Sequence, residues 1–115
     1  MIIGIIGSRK RDTDEDFNLV EDVFLQTYKQ DDTLVSGGCP KGGDRFAEII
    51  AKKYCIPIKI HYANWSLFGP RAGFQRNSLI ASDADILIAC ISSDRTGGTE
   101  DTIRKFSKKK TLILV

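Results

Sequence analysis

Two stretches of this chain, Ile2-Ile3-Gly4-Ile5-Ile6 and Ile86 to Ile91 within Asp85–Ile91, are apolar without alternation and too short to read as buried helices. A strand with one wet face alternates apolar and polar residues, whereas a continuous run belongs to a strand covered on both faces, as in a parallel sheet. Shorter strand-like runs follow the same reading at Thr33–Val35, Ile56–Tyr62 and Thr111–Val115, and Pro57 places the second of these near a sheet edge. Parallel neighbours require long crossovers, and the segments between these runs are long enough to supply them as helices. The expected fold is therefore α/β: a single Rossmann-like three-layer domain over residues 1–115, with a parallel sheet of about five strands and helices on both faces.

The intervening segments carry the helical period. Phe17, Val20, Phe24 and Tyr28, with Val23 beside them, predict a helix to about Lys29, and Asp14, Glu15 and Asp16 fill a first turn where the helix dipole favours acids. Phe46, Ala47, Ile50, Ala51 and Tyr54 form a second stripe from about Asp44 to Tyr54, with Lys52 and Lys53 at the end that favours cations. Asn64 to Pro70 reads as irregular, and a helix is expected from near Pro70 with Ala72, Arg76, Leu79, Ile80 and Asp83 on one face. An arginine on such an inward face must meet an internal carboxylate or point into a cleft. The last helix is expected after Gly97-Gly98-Thr99, with Ile103 and Phe106 inward and Lys108, Lys109 and Lys110 at its end.

Composition narrows the classes of function. The 115 residues suffice for one buried core, and 17 basic against 15 acidic residues leave a charge of +2, which gives no general affinity for nucleic acid. The basic residues cluster instead, as Arg9-Lys10-Arg11, as Lys41 with Arg45, and as Arg71 with Arg76. Cys39, Cys55 and Cys90 contain no C-x-x-C pair, which argues against a disulfide framework and a zinc knuckle and points to a reducing, cytoplasmic setting. His61 stands alone in a strand and reads as a packing or surface residue; no metal constellation and no cofactor are expected. The apolar run after Met1 has no basic segment before it and reads as a first strand rather than a signal peptide, and no run approaches the ~20 residues that span a bilayer.

Ligands of open α/β sheets lie at the carboxyl ends of the strands. Three unusual loops fall there: Gly7-Ser8-Arg9, Ser36-Gly37-Gly38-Cys39-Pro40-Lys41-Gly42-Gly43-Asp44, and Thr96-Gly97-Gly98-Thr99. The second reads either as the floor of an anion or nucleotide site, glycines letting a ligand approach a helix N-terminus, or as a glycine-rich turn with no ligand. Convergence of the three loops favours a nucleotide-like ligand. No G-x-G-x-x-G is present, and Gly43-Asp44 stands where a P-loop needs Lys and Ser/Thr, so NTP hydrolysis by that route is disfavoured. Ser8 and Ser36 lack a histidine partner in the sequence and suit hydrogen bonding to a ligand better than nucleophilic attack. Asp44 either caps its helix or accepts from ribose hydroxyls, and Trp65 with Phe68 either walls a base or forms a satellite core.

Taken in order, Gly7-Ser8-Arg9, Ser36-Gly37-Gly38 with Lys41-Gly42-Gly43-Asp44-Arg45, Ala63-Asn64-Trp65, Gly69 to Gly73 with Arg76-Asn77, and Gly97-Gly98-Thr99 resemble the small YspA/YpsA-related proteins of the SLOG superfamily. The resemblance spans nearly the whole chain. It implies a Rossmann-like fold that binds nucleotides or their derivatives, related to LOG-type phosphoribohydrolases and DprA DNA-binding proteins. LOG enzymes cleave the N-glycosidic bond of a nucleoside monophosphate using an arginine before the fourth strand and P-G-G-x-G-T-x-x-E after it. Arg76 matches that arginine and Gly97-Gly98-Thr99 part of the loop, but Thr102 stands at the glutamate position, and the acids are Glu100 and Asp101. One or two helical positions turn a side chain by about 100 to 200 degrees, so a binding role carries over more directly than a catalytic one.

The resulting expectation is a binding or sensor protein for a nucleotide or nucleotide-derived phosphorylated ligand. Its expected site is Gly7, Ser8, Arg9, Ser36, Gly37, Gly38, Lys41, Gly42, Gly43, Asp44, Arg76, Asn77, Gly97, Gly98 and Thr99. The alternative is a phosphoribohydrolase-like enzyme with Arg76, Glu100 and Asp101 catalytic, and a third reading is single-strand nucleic-acid binding through Arg9, Lys10, Arg11 and Lys41. A homodimer is expected because so small a domain leaves its site shallow.

Overall fold

The structure is a computed structural model that describes all residues from Met1 to Val115. Five strands form one sheet: β1 (Ile2–Gly7), β2 (Thr33–Ser36), β3 (Ile58–Ile60), β4 (Ile86–Cys90) and β5 (Thr111–Leu114). They lie in the order β3-β2-β1-β4-β5, and every neighbouring pair is parallel. The chain thus builds outward from β1 through β2 to β3, then crosses back to the other side of β1 for β4 and β5. The expected α/β domain is the one observed, and the two uninterrupted apolar runs are the adjacent central strands β1 and β4.

The crossovers are α1 (Asp14–Thr27), α2 (Gly43–Lys53), the one-turn α3 (Trp65–Phe68), α4 (Ala72–Asp83) and α5 (Gly98–Lys105). Strand alternation sorts the core into two halves. Ile3 and Ile5 of β1, Leu34 of β2 and Ile88 of β4 pack against Val20 and Phe24 of α1 and Phe46 and Ile50 of α2. On the opposite face Ile6, Val35, Leu87 and Ala89 meet Ile80 and Ala81 of α4, with Phe106 beyond α5. A layer of helices covers each face of the sheet. Local signals agree with this packing: Thr13 and Asp16 form a reciprocal capping box at the start of α1. No helix is long and apolar enough to cross a membrane.

Several local expectations require correction. The Asn64–Pro70 segment is not wholly irregular, because Asn64 Oδ1 accepts from Leu67 N–H and caps α3, and a 3-10 turn at Gly69–Arg71 then leads into α4. Leu79 points outward at 39% exposure, and Asn77 takes the inward place beside Ala72, Ile80 and Ala81. An amide counts as polar in a hydropathy pattern, although this one is satisfied internally. The final helix stops at Lys105, so Lys108, Lys109 and Lys110 lie in the turn before β5 rather than on its last turn.

One contact sets the position of α2. A Cβ at Gly43 would stand 2.1 Å from both Gly7 N and Ile6 C, so the first residue of α2 lies directly on the last peptide of β1. A Cβ at Gly7 would in turn meet Gly43 Cα and N at 3.0 Å. Backbone cannot yield as a side chain does, and Gly43→Ala is expected to cost about 3 kcal/mol or more in urea denaturation, the upper end of overpacking effects. Gly73→Ala, in α4 with only ordinary contact to Trp65 at 3.7 Å, should instead stabilise by about 0.5–1 kcal/mol.

Candidate functional site

A cavity of about 310 Å³ opens where the strand order reverses, at the carboxyl end of β1. Gly7, Ser8 and Arg9 form one wall, Asp44 and Cys39 the floor, Arg76 and Asn77 of α4 another wall, and Thr96 to Thr99 the lip. Nine of the expected residues therefore converge: Gly7, Ser8, Arg9, Asp44, Arg76, Asn77, Gly97, Gly98 and Thr99. Lys10, Cys39, Thr96 and Thr102 line it as well, outside the expected set. Thr102 had a signal, since it replaces the glutamate of the P-G-G-x-G-T-x-x-E pattern; its buried hydroxyl donates to Gly98 O at 3.1 Å.

The remaining expected residues are close by but outside the lining, and the reason lies in what fills the Ser36–Asp44 loop. The open sides of its glycines face protein. A Cβ at Gly37 would meet Asp44 Oδ2 at 2.6 Å and Arg76 Nη1 at 2.8 Å, one at Gly38 the ring of Tyr62 at 2.3 Å, and one at Gly42 Ser8 O at 2.4 Å. The N-terminus of α2 meets a carboxylate of the chain itself. Asp12 Oδ1 accepts from Gly42 N–H at 2.7 Å and from Arg45 Nε at 2.8 Å, which holds its carboxyl below the usual range. Asp44 Oδ2 accepts from Cys39 N–H at 3.1 Å. The glycines of this loop thus serve close packing, and Lys41 is exposed outside the cavity.

The N-terminus of α5 is arranged differently. No side chain caps it, Gly97 has φ +95°, and a Cβ at Gly97 would find nothing within 4 Å. The N–H groups of its first residues have no intrahelical partners and sit at the cavity lip. Opposite stands Arg76, half-buried, whose Nε donates to Asn77 Oδ1 at 2.9 Å. Arg76 forms no ion pair with any carboxylate. Asn77 is itself fixed, its Nδ2 donating to Gly98 O at 3.2 Å and Asp101 Oδ2 at 3.1 Å.

The acids beside this helix are engaged elsewhere. Glu100 accepts two hydrogen bonds from Arg95, at 2.8 and 3.0 Å. Asp101 is buried and accepts from Lys105 at 2.9 Å as well as from Asn77. Burial pushes its carboxyl up, but Lys105 and Asn77 outweigh that and leave it low. Neither acid lines the cavity. Among the cations, Lys10 pairs with Asp94, and Arg11 is structural: it pairs with Asp16 and donates to Ile91 O and Val115 O. His61 Nε2 lies 2.6 Å from Asp83 Oδ2, and no group of three metal-ligating side chains occurs. The three cysteines are free thiols.

Asp44 is the one carboxylate in the cavity wall, only 8% exposed. Burial raises its carboxyl above the usual carboxylate range, although the Cys39 N–H, the Ser36 hydroxyl and the Arg76 charge pull it down. Ser36 Oγ lies within hydrogen-bonding distance of both Ile5 O and Asp44 Oδ1, the latter at 3.0 Å. A hydroxyl has one proton and a carbonyl only accepts. Ser36 Oγ can therefore donate to only one of Ile5 O and Asp44 Oδ1 at a time.

Comparisons with protein-family models, with curated proteins and with solved structures find no match to this chain.

A raised native pKa means that the folded chain binds a proton the unfolded chain releases. Stability from this group is full below the unfolded value of about 3.9 and is lost as pH rises through the folded one. An asparagine side chain in its place cannot ionise, and its amide oxygen can still accept from Cys39 N–H. Asp44→Asn should therefore fold, and its stability relative to the native protein should increase as pH is raised above about 4 and then level off. Urea titrations at a series of pH values check this; a difference that shrinks with rising pH would contradict the assignment.

Proposed function

We propose that this cavity binds a nucleotide or nucleotide-derived phosphorylated ligand, and that the chain acts as a binding or sensor protein of SLOG type. The observation that carries the reading is Arg76, a half-buried guanidinium at the cavity wall with no carboxylate partner. Asp44 is a coulombic neighbour and forms no direct ion pair with it, which leaves the guanidinium open to an anion from outside. Two further features support an anionic group there: the uncapped start of α5 and the exposed Arg9. Against these cations stands one carboxyl group in the lining, Asp44, whose burial disfavours its charged form.

The N-glycosidic hydrolase is the second reading, and Asp44 is the observation in its favour. Hydrolysis needs a carboxyl group at the reacting bond, and Glu100 and Asp101 are held outside the cavity by Arg95, Lys105 and Asn77. Single-strand nucleic-acid binding has less support, because Arg11 and Lys10 are committed to partners within the chain.

Calorimetry with nucleoside 5′-monophosphates tests the first reading. Arg76→Ala should raise Kd by about 5- to 150-fold, the equivalent of ~1–3 kcal/mol for a charge-assisted contact, while Arg76→Lys recovers only part of the loss. Saturable binding without release of free base is the expected result. Base release that Asp44→Asn abolishes would favour the hydrolase; unchanged affinity in a folded Arg76→Ala protein would contradict the anion site.

A further inference from the structure

We propose that the base of the ligand lies in a second cleft, against Trp65 and Phe74, on the other side of the Arg76–Asn77 wall. This placement rests on the nucleotide reading above and extends it to a part of the molecule that reading leaves unused.

The cleft has a volume of about 480 Å³ and shares Arg76, Asn77, Gly97 and Gly98 with the first cavity. A ligand whose phosphate meets Arg76 and the start of α5 therefore has a continuous route from one to the other. The two differ in chemistry. The first is lined by cations, hydroxyls and backbone; the second adds Trp65, Pro70 and Phe74. Trp65 is 61% exposed and Phe74 54% exposed, whereas rings of this size are ordinarily well buried, so two of them open to one cleft call for a role at the surface.

Their placement is specific. The cap from Asn64 holds the turn of α3 that carries Trp65. The indole approaches α4 at Gly73, where a Cβ would stand 3.7 Å from Trp65 Cη2. Lys105 Nζ lies 5.4 Å from the Phe74 ring centroid while donating to Phe74 O, which fixes that ring's neighbourhood. Two exposed aromatic surfaces beside an anion site match a base joined to a phosphorylated sugar, because any base presents a flat π-face for stacking. The amide at the shared wall has no N–H left for a base edge: both Nδ2 hydrogens go to Gly98 O and Asp101 Oδ2, and Oδ1 already accepts from Arg76 Nε. Recognition through this cleft is by stacking, so purines should bind more tightly than pyrimidines, and adenine and guanine should bind with similar affinity.

Trp65 is the sole tryptophan of the chain, so its fluorescence reports the cleft directly. The experiment titrates the native protein, Trp65→Ala and Trp65→Phe with ribose 5-phosphate and with adenosine, guanosine, cytidine and uridine 5′-monophosphates. Affinity is followed by calorimetry and, in the native protein, emission by fluorescence. The expected result is that nucleotides quench Trp65 and ribose 5-phosphate does not. Trp65→Ala should weaken nucleotide binding by about 5- to 150-fold, the conversion of a ~1–3 kcal/mol base stack, leave ribose 5-phosphate unchanged, and be partly rescued by Trp65→Phe. Nucleotide binding that Trp65→Ala does not alter overturns the base cleft and leaves the anion site standing. Failure of every compound to bind the folded native protein overturns both. A Trp65-dependent dimer in sedimentation, with nucleotide affinity unchanged, would show that a second copy covers this face and would likewise overturn the proposal.

Discussion

The contact of Gly43 with the Ile6–Gly7 peptide is the constraint on which the site depends. With no side chain on either partner, the first turn of α2 rests on the end of the central strand, where a Cβ would come within 2.1 Å of backbone atoms. That brings Asp44 under the crevice and puts Gly42 against Ser8 O, which shapes the β1 loop above it. The reversal of strand order opens the crevice; the glycine contact decides which side chains form its floor.

The two helices that start at this crevice have opposite electrostatic states. The α2 start is met by the chain itself, through Asp12, which accepts from Gly42 N–H. The α5 start has no cap and faces an arginine without a carboxylate. Partial positive charge at a helix start favours an anion in both cases, but only the second leaves room for one from outside. A glycine-rich loop is therefore an incomplete indication of ligand binding, since the space it clears can be taken by neighbouring backbone, as at Gly42 and Gly43.

Most of the fold was legible in the sequence because its signals are local. Continuous apolar runs identify the central strands, Pro57 marks the edge strand, and the Phe17–Tyr28 and Phe46–Tyr54 stripes identify two helices that pack on the same face. The convergence of Gly7–Arg9, Arg76 and Gly97–Thr99 on one cavity was legible too, because topology places strand ends together. What could not be read was how polar groups are shared out. Asn77 is buried because its partners satisfy it, Leu79 is exposed because Asn77 occupies the inward position, and Glu100 is withdrawn by an arginine five residues earlier. Such pairings depend on distances across the fold and leave no periodic trace.

Arg11 joins parts of the chain far apart in sequence, pairing with Asp16 at the start of α1 and donating to Ile91 O and Val115 O past the ends of β4 and β5. It directly follows Arg9 and Lys10, the two exposed cations of the cavity wall. The loop that carries them is consequently tied at Arg11 to the first turn of α1 and to the ends of β4 and β5. A preorganised loop of this kind lowers the entropic cost of binding. The tie also couples the loop after β1 to Val115, 104 residues further along the chain from Arg11.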